Sequence, residues 1–284
     1  MAQEFMPVKD LNHYSAFIKE NNARHADRVT NCFLMPQEIA ELTQKGLLSY
    51  RVCTAGLLFF LDCGVYDRLY FFVSPQHPIG SIDKDKPVVI EFVQSQLRPA
   101  DEKAELIKAR WREAGFTHNT TTLRMRRREA GMHNNAQALS PVAGISVAQA
   151  GEAELDDVAA VWRASFDPLV NLLPSDAEQH AAMQAGELYC AIDDETGQVV
   201  GAAQFRFTKS TGYIWHIAVL PAFRNRHIGQ ALTRHYFYLA QLRQISNHLL
   251  WVVESNQGAI RFHQRNGYQF DGTYSQQYLL HHYK

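Results

Sequence analysis

Cysteine is scarce. Cys32, Cys53, Cys63 and Cys190 are the only four, none stands in a C-x-x-C pair, and none has a histidine at zinc-ligand spacing. A disulfide framework and a metal site are therefore not expected, and the thiols read as ordinary buried or half-buried side chains. Long apolar runs are missing too. Stretches such as Gly56–Leu61 fall far short of the ~18–20 residues a bilayer-spanning helix needs. Neither sign of charge is in excess: lysine plus arginine number 28 against 29 aspartates and glutamates. That balance excludes a nucleic-acid coat and a polybasic membrane anchor. Met1–Asp10 has no basic stretch leading into an apolar one, so no secretory leader is read and a reducing, cytoplasmic setting is expected.

What is present is core-forming material. Apolar residues make up 46%, aromatic residues 11% and charged residues only 20%, which excludes a disordered chain. At ~100–200 residues per domain, the 284-residue length sets two domains as the prior. In the first half, Leu11, Tyr14 and Ile18 recur at helical spacing and Pro36 opens a second short helix. Leu48–Thr54, Leu57–Asp62 and Arg68–Val73 then predict an antiparallel meander with turns at Ala55-Gly56 and Cys63-Gly64. A strand over Pro87–Val93, a helix from Pro99 to about Ala114 and a strand over Thr120–Arg127 follow. Residues from Glu129 to about Gly144 lack periodicity and read as a linker.

The second half restarts with a strand at Ile145–Ala148 and a helix carrying Leu155, Val158, Trp162 and Phe166 on one face. Ser175 and Glu178 form a capping-box signal for another helix. Strands are expected at Glu187–Ile192, Val199–Phe207 and Tyr213–Val219, then a long helix beginning near Gly229. A strand at Leu249–Val253, a helix over Asn256–Asn266 and a final strand close the chain. The fold class is α+β: a mixed, mostly antiparallel sheet flanked by helices.

The segment Ile217-Ala218-Val219-Leu220-Pro221-Ala222-Phe223-Arg224-Asn225-Arg226-His227-Ile228-Gly229-Gln230 carries the chemistry. An apolar strand ends, a proline forces an exit, and a basic loop enters a long helix. A helix N-terminus offers unpaired N–H groups and the positive end of its dipole, which is how a chain makes an anion site. Arg224 and Arg226 add charge-assisted donors suited to phosphate. Downstream, Asn256-Gln257-Gly258-Ala259 opens a helix that ends Phe262-His263-Gln264-Arg265-Asn266-Gly267-Tyr268.

Together these stretches resemble the acetyl-CoA-dependent N-acetyltransferases of the GNAT superfamily over about residues 144–284. The first is similar to the family's pyrophosphate motif, Arg/Gln-x-x-Gly-x-Gly/Ala, with Arg224 and Gly229 matching and His227 standing where the first glycine belongs. A left-handed backbone there would disfavour histidine. The second is similar to the Asn-x-x-Ala helix and its aromatic-x-x-x-Gly-aromatic ending, with Asn256 and Ala259 in place and His263 where a tyrosine is frequent. The resemblance implies that acetyl-CoA is bound by backbone N–H groups from Arg224 through Asn225, Arg226, His227, Ile228 and Gly229 to Gln230. It implies that Ile217, Ala218 and Val219 pair with the pantetheine arm and that Asn256 holds that arm or its loop. His263 becomes the general acid toward the departing sulfur, with Tyr268 the poorer candidate.

The base is left open by the residues themselves. Gln204–Val219 contains no Asp or Glu, so His216, Tyr213, Glu254 and ordered water are the options. The order of elements in the first half echoes the second, including Trp111–Phe116 as a counterpart of Phe262–Tyr268, but no phosphate-loop helix lies between Val73 and Pro87. The expectation is a degenerate GNAT-like domain over 1–130, a linker over 131–143, and an acetyltransferase domain over 144–284. The first domain would form a wall of the acceptor cleft or a homodimer surface. The expected partner is a small-molecule or peptide amine, not a nucleic acid or a membrane. Arg124, Arg126, Arg127 and Arg128 read as a solvated strand end. An inactive CoA-binding sensor and a protein-interaction module are the alternative functions.

Overall fold

Aromatic and β-branched side chains from Leu48 to Val73, interrupted by the two glycine turns, fold as the expected meander. The computed structural model describes residues 5–97, 102–129, 142–171 and 173–281. The chain divides into two compact units, one comprising 1–121 and 273–284 and the other 122–272.

The first unit contains β1 (Met6–Pro7), α1 (Leu11–Arg24), β2 (Val29–Thr30), α2 (Pro36–Gln44), β3 (Leu48–Cys53), β4 (Gly56–Asp62), β5 (Asp67–Val73), β6 (Val88–Ser95), α3 (Glu102–Glu113) and the first residues of β7 (Thr117–Arg128). Strands β3, β4 and β5 pair antiparallel, whereas β5 and β6 pair in parallel only at Asp67–Val88 and Arg68–Val89. Residues 273–280 of the chain's last strand run antiparallel to β6, from Thr273 opposite Ser95 to Leu280 opposite Val88. Alternation along β4 divides its side chains between two cores. Leu58 and Phe60 meet Ile107 and Trp111 of α3, and Leu57 and Phe59 meet Tyr14 of α1 and Ile39 of α2. No helix separates β5 from β6, as the sequence predicts.

The second unit contains the rest of β7, β8 (Ile145–Gln149), α4 (Leu155–Ser165), α5 (Pro168–Asn171), α6 (Asp176–Gln184), β9 (Leu188–Asp193), β10 (Val199–Phe207), β11 (Thr211–Val219), α7 (Ile228–Leu242), β12 (Asn247–Val253), α8 (Gln257–Arg265) and the start of β13 (Gln269–Leu280). Its sheet runs β8-β9-β10-β11-β12-β7, antiparallel except for the β11–β12 pair. Helix α4 covers one face, burying Trp162 against Cys190, Val199 and Ala218. Helices α7 and α8 cover the other, with Ile228, Leu232, Tyr236 and Ile260 packed on Val200, Phe205 and Val252.

The two units thus interleave along the chain, which a linear division into 1–130 and 144–284 does not capture. The 12-residue strands β7 and β13 each contribute to both units. Residues 122–128 flank β12 in the second unit's sheet, and residues 273–280 flank β6 in the first's. Of the expected linker, residues 131–141 lie outside the described residues.

Candidate functional site

The β11–β12 pairing is parallel from Thr211–Asn247 to Ile214–Leu250 and stops there, although β11 continues to Val219 and β12 to Val253. The cause lies on the other edge of β11. Gln204 opposes His216 while the adjacent Phe205 opposes Ile214, so Trp215 is an extra residue with no partner on β10. Such a bulge bends the strand and raises its twist. It also breaks alternation, so Ile214 and Ile217 both reach the α7–α8 face although three positions apart. Beyond the bulge, His216–Val219 pair with β10 on one side only, and their other edge faces the opening. Trp215 and Trp251, the first residues past the last parallel pair, stand 54% and 42% exposed.

At the end of β11 the chain turns through Pro221–Phe223 into α7. Asn225 and His227 both hold left-handed backbone, with φ of 64° and 61°. Asparagine tolerates this region and glycine prefers it, so His227 sits at a real conformational cost at the helix N-cap. Its side chain makes no capping bond. The backbone donors here form the feature that matters: among the described residues, no N–H from Asn225 to Gln230 makes a hydrogen bond of good geometry within the protein, and Ala231 is the first to donate, to His227 O at 3.0 Å. Consecutive free N–H groups at a helix start are an anion cradle. Arg224 and Arg226 are exposed beside it; Arg224 Nε reaches Val219 O at 3.3 Å, and the Arg226 guanidinium lies 5.0 Å from the Phe223 ring centre.

A Cβ at Gly229 would stand 3.6 Å from the Phe262 ring, an ordinary contact. The protein's own packing therefore does not demand glycine there. Gln230 Nε2 donates to Asn266 Oδ1 at 3.0 Å, tying the start of α7 to the end of α8. The Asn256 side chain accepts from Ala259 N at 3.0 Å as the N-cap of α8, which accounts for the Asn-x-x-Ala spacing by local hydrogen bonding.

The four candidate catalytic side chains do not converge. His263 is 5% exposed, its ring lies 5.9 Å from that of Tyr268, and its Nδ1 has no partner. Burial pulls its pKa down to about 4, so the ring is neutral at neutral pH. Tyr268 is a fully buried core residue whose phenol is pushed up by burial. His216 projects to the opposite, α4 face of the sheet, between Trp162 and Phe166. Its Nε2 lies 3.3 Å from Asn171 O, its Nδ1 has no partner, and burial outweighs that hydrogen bond to lower its pKa. Glu254 is exposed just past the end of β12.

Sequence reasoning missed the bulge at Trp215, whose signal would have been the interrupted alternation between Ile214 and Ile217. It also missed Asp271, which pairs with Arg124 at 2.9 Å and Arg126 at 3.2 Å on β7. Arg127 pairs with Glu129 at 2.9 Å, donates to Asn266 O at 2.9 Å, and stacks 4.1 Å from the Phe237 ring centre. Among the described residues no group of three or more His, Cys, Asp or Glu could hold a metal ion, and no helix is long and apolar enough to cross a membrane.

Residues 155–268 match the Acetyltransferase (GNAT) family. Solved structures similar to the chain share its fold. A tandem GNAT protein from the clavulanic acid biosynthesis pathway is 14% identical, with 99% of this chain and 98% of that chain covered and a TM-score of 0.57. A GCN5-related N-acetyltransferase from Sphaerobacter thermophilus is 15% identical, covering 94% and 90%, with a TM-score of 0.55. A GCN5-related glucosamine N-acetyltransferase region in a fungal multi-domain β-N-acetylglucosaminidase is 16% identical, covering 98% of this chain and 38% of that one, with a TM-score of 0.59. No curated protein matches the sequence.

Proposed function

With residues 155–268 matching the Acetyltransferase (GNAT) family, we propose that the second unit moves an acetyl group from acetyl-CoA to a primary amine on a small molecule or peptide. The observation that carries this reading is the run of free N–H groups from Asn225 to Gln230, placed where β11 parts from β12. A pyrophosphate suits that cradle in charge and in hydrogen bonding, and Arg224 and Arg226 supply further donors. The edge of Ile217–Val219 that β12 leaves unpaired suits an amide-bearing arm, which a strand edge can take as an added strand and which would compete with Arg224 Nε for Val219 O. Ile228 anchors the helix start in the core, and the half-buried Gly229 presents its backbone without a side chain beside Phe262 and Val219.

Acetyl-CoA supplies an activated thioester: the amine nitrogen bonds to the carbonyl carbon, the carbon–sulfur bond breaks, the thiolate gains a proton and the amine loses one. His263, neutral when buried, serves as a hydrogen-bond donor to the sulfur rather than as a preformed imidazolium. Negative charge developing beside it would raise its pKa toward proton transfer. His216 suits the base role chemically. With the proton on Nε2 toward Asn171 O, Nδ1 is the basic nitrogen of a ring that burial keeps neutral, but that atom is itself buried on the α4 face, so the amine would have to reach it there. Exposed Glu254 and ordered water are the other routes for that proton.

Calorimetric titration of the full chain with acetyl-CoA, followed by CoA release across a panel of amines, tests the reading. Binding with turnover on at least one amine is expected. Absence of binding would overturn it. Binding without turnover or slow thioester hydrolysis would instead favour a CoA-binding sensor, the reading that the burial of His263 supports.

A further inference from the structure

The first unit has an opening of the same kind. Its β5 and β6 pair in parallel for two residues only, Asp67–Val88 and Arg68–Val89, and then part while β5 runs on to Val73 and β6 to Ser95. Here the opening is filled by the chain itself. Strand β2 adds antiparallel to β5, with Val29 opposite Val73 and Thr30 opposite Phe72. The next residue, Asn31, spans the gap. Its Nδ2 donates to Leu69 O on β5 at 3.0 Å and to Glu91 O on β6 at 3.3 Å, and its Oδ1 accepts from Phe71 N at 2.8 Å.

Packing of the insert and contacts to the two strands around it hold the opening in this form. Val29 packs in the core that holds Phe71 and Trp111. Asn21 Nδ2 donates to Phe72 O at 3.0 Å, an approach that Gly56 permits, because a Cβ there would lie 2.3 Å from that oxygen. Arg68 and Glu91 form an ion pair at 3.1 Å between the two strands. The hollow left beside Asn31, about 210 Å³, is lined by Phe33, Arg68, Tyr70 and Glu91. That is smaller than the roughly 300–1,000 Å³ of ordinary ligand pockets. Past the end of β5, Ser74 Oγ donates to the Asp27 carboxylate at 2.7 Å and Arg110 Nε donates to Pro75 O at 3.1 Å.

We propose that Val29–Asn31 is a built-in occupant of the β5–β6 opening, an internal peptide standing where an amide-bearing ligand would add to the strand edge. The first unit accordingly takes no acyl-CoA, and the chain binds one equivalent. The count of one rests on the function proposed above; the occlusion does not. An edge strand offers unpaired N–H and C=O groups, and an internal peptide satisfies them at no cost in association entropy. An external arm would have to displace it and leave Phe71 N, Leu69 O and Glu91 O without their partner.

Residue-resolved hydrogen exchange on the full chain, with and without saturating CoA, tests this directly. CoA is expected to slow amides between 215 and 230 and to leave those of 29–31, 69–73 and 90–93 unchanged. Slowing in the latter sets, or two equivalents by native mass spectrometry, would overturn the proposal. Separately, Asn31→Ala should speed exchange at the Phe71 amide by ~10-fold or more, because its acceptor is removed; Asn31→Asp, which keeps that acceptor, should not. An unchanged Phe71 amide in Asn31→Ala would also overturn it. If CoA slows no amide anywhere, the proposed function of the second unit fails, while the Phe71 measurement still decides the occlusion.

Discussion

Gly229 separates folding from function at a single position. It lies in the first turn of α7, where a carboxylate is favoured by the helix dipole by roughly 0.3–1 kcal/mol. A Cβ there meets nothing closer than the Phe262 ring at 3.6 Å. Gly229→Asp should therefore leave the denaturation midpoint unchanged or raised, while placing negative charge in the N–H cradle. Acetyl-CoA affinity should fall by at least ~10-fold, about 1.4 kcal/mol. An unchanged Kd in calorimetry would place the pyrophosphate elsewhere. His263 gives the complementary case. If its imidazole serves the departing sulfur, His263→Ala should lower turnover by ~10²-fold with little change in acetyl-CoA affinity. A turnover loss matched by an equal loss of binding would mark it as a packing residue beside Phe262 and Tyr268 instead.

Helix α8 shows how a motif residue can be read at the scale of an element. The Asn256 side chain caps the helix through Ala259 N, so Asn256→Ala should cost ~1 kcal/mol by urea unfolding and Asn256→Asp should restore it. If Asn256→Ala left stability intact but weakened acetyl-CoA binding, the side chain would belong to the ligand and not to the helix. Elements of this kind were the legible part of the sequence. The Ser175–Glu178 capping box, the β10 bounds at Val199 and Phe207, and the helix stop at Gly267 all follow from local propensity and appear as expected. The exposed N–H groups at the start of α7 were legible for the same reason, since they belong to consecutive residues. The bulge at Trp215, the burial of His263 and the bridge made by Asn31 were not legible. The bulge and the bridge depend on strand partners elsewhere in the chain, Gln204 for Trp215 and Glu91 for Asn31, and the burial of His263 depends on the core built around its near neighbour Tyr268 from residues as distant as Met125 and Val200.

Across the whole molecule, the distribution of buried histidines dictates a pH response. Burial lowers the pKa of His263 to about 4, and burial together with the Arg127 charge lowers that of His248 to about 4; burial also lowers His216 and His235. Each folded-state value lies below the ordinary 6.5, so between about pH 6.5 and 4 the unfolded chain binds protons that the folded chain does not. Stability is then flat above pH 6.5 and declines as pH falls through that window, by up to ~1.4 kcal/mol per pH unit for each such group. Asp62 and Glu105 act with the same sign but lower in pH, because lysine partners depress carboxylates that ordinarily titrate near 4. His180, raised by its Asp176 and Glu152 partners, opposes the trend from a fully exposed position where screening keeps its effect small. Denaturant unfolding at pH 7.5, 6 and 5 should show the decline in the full chain. His263→Leu should flatten it by about one proton's worth, because the buried ring has no hydrogen-bond partner on Nδ1 to lose. An identical slope in the two proteins would mean that His263 is solvated in the folded chain, and with it would go the account of a neutral imidazole at the site.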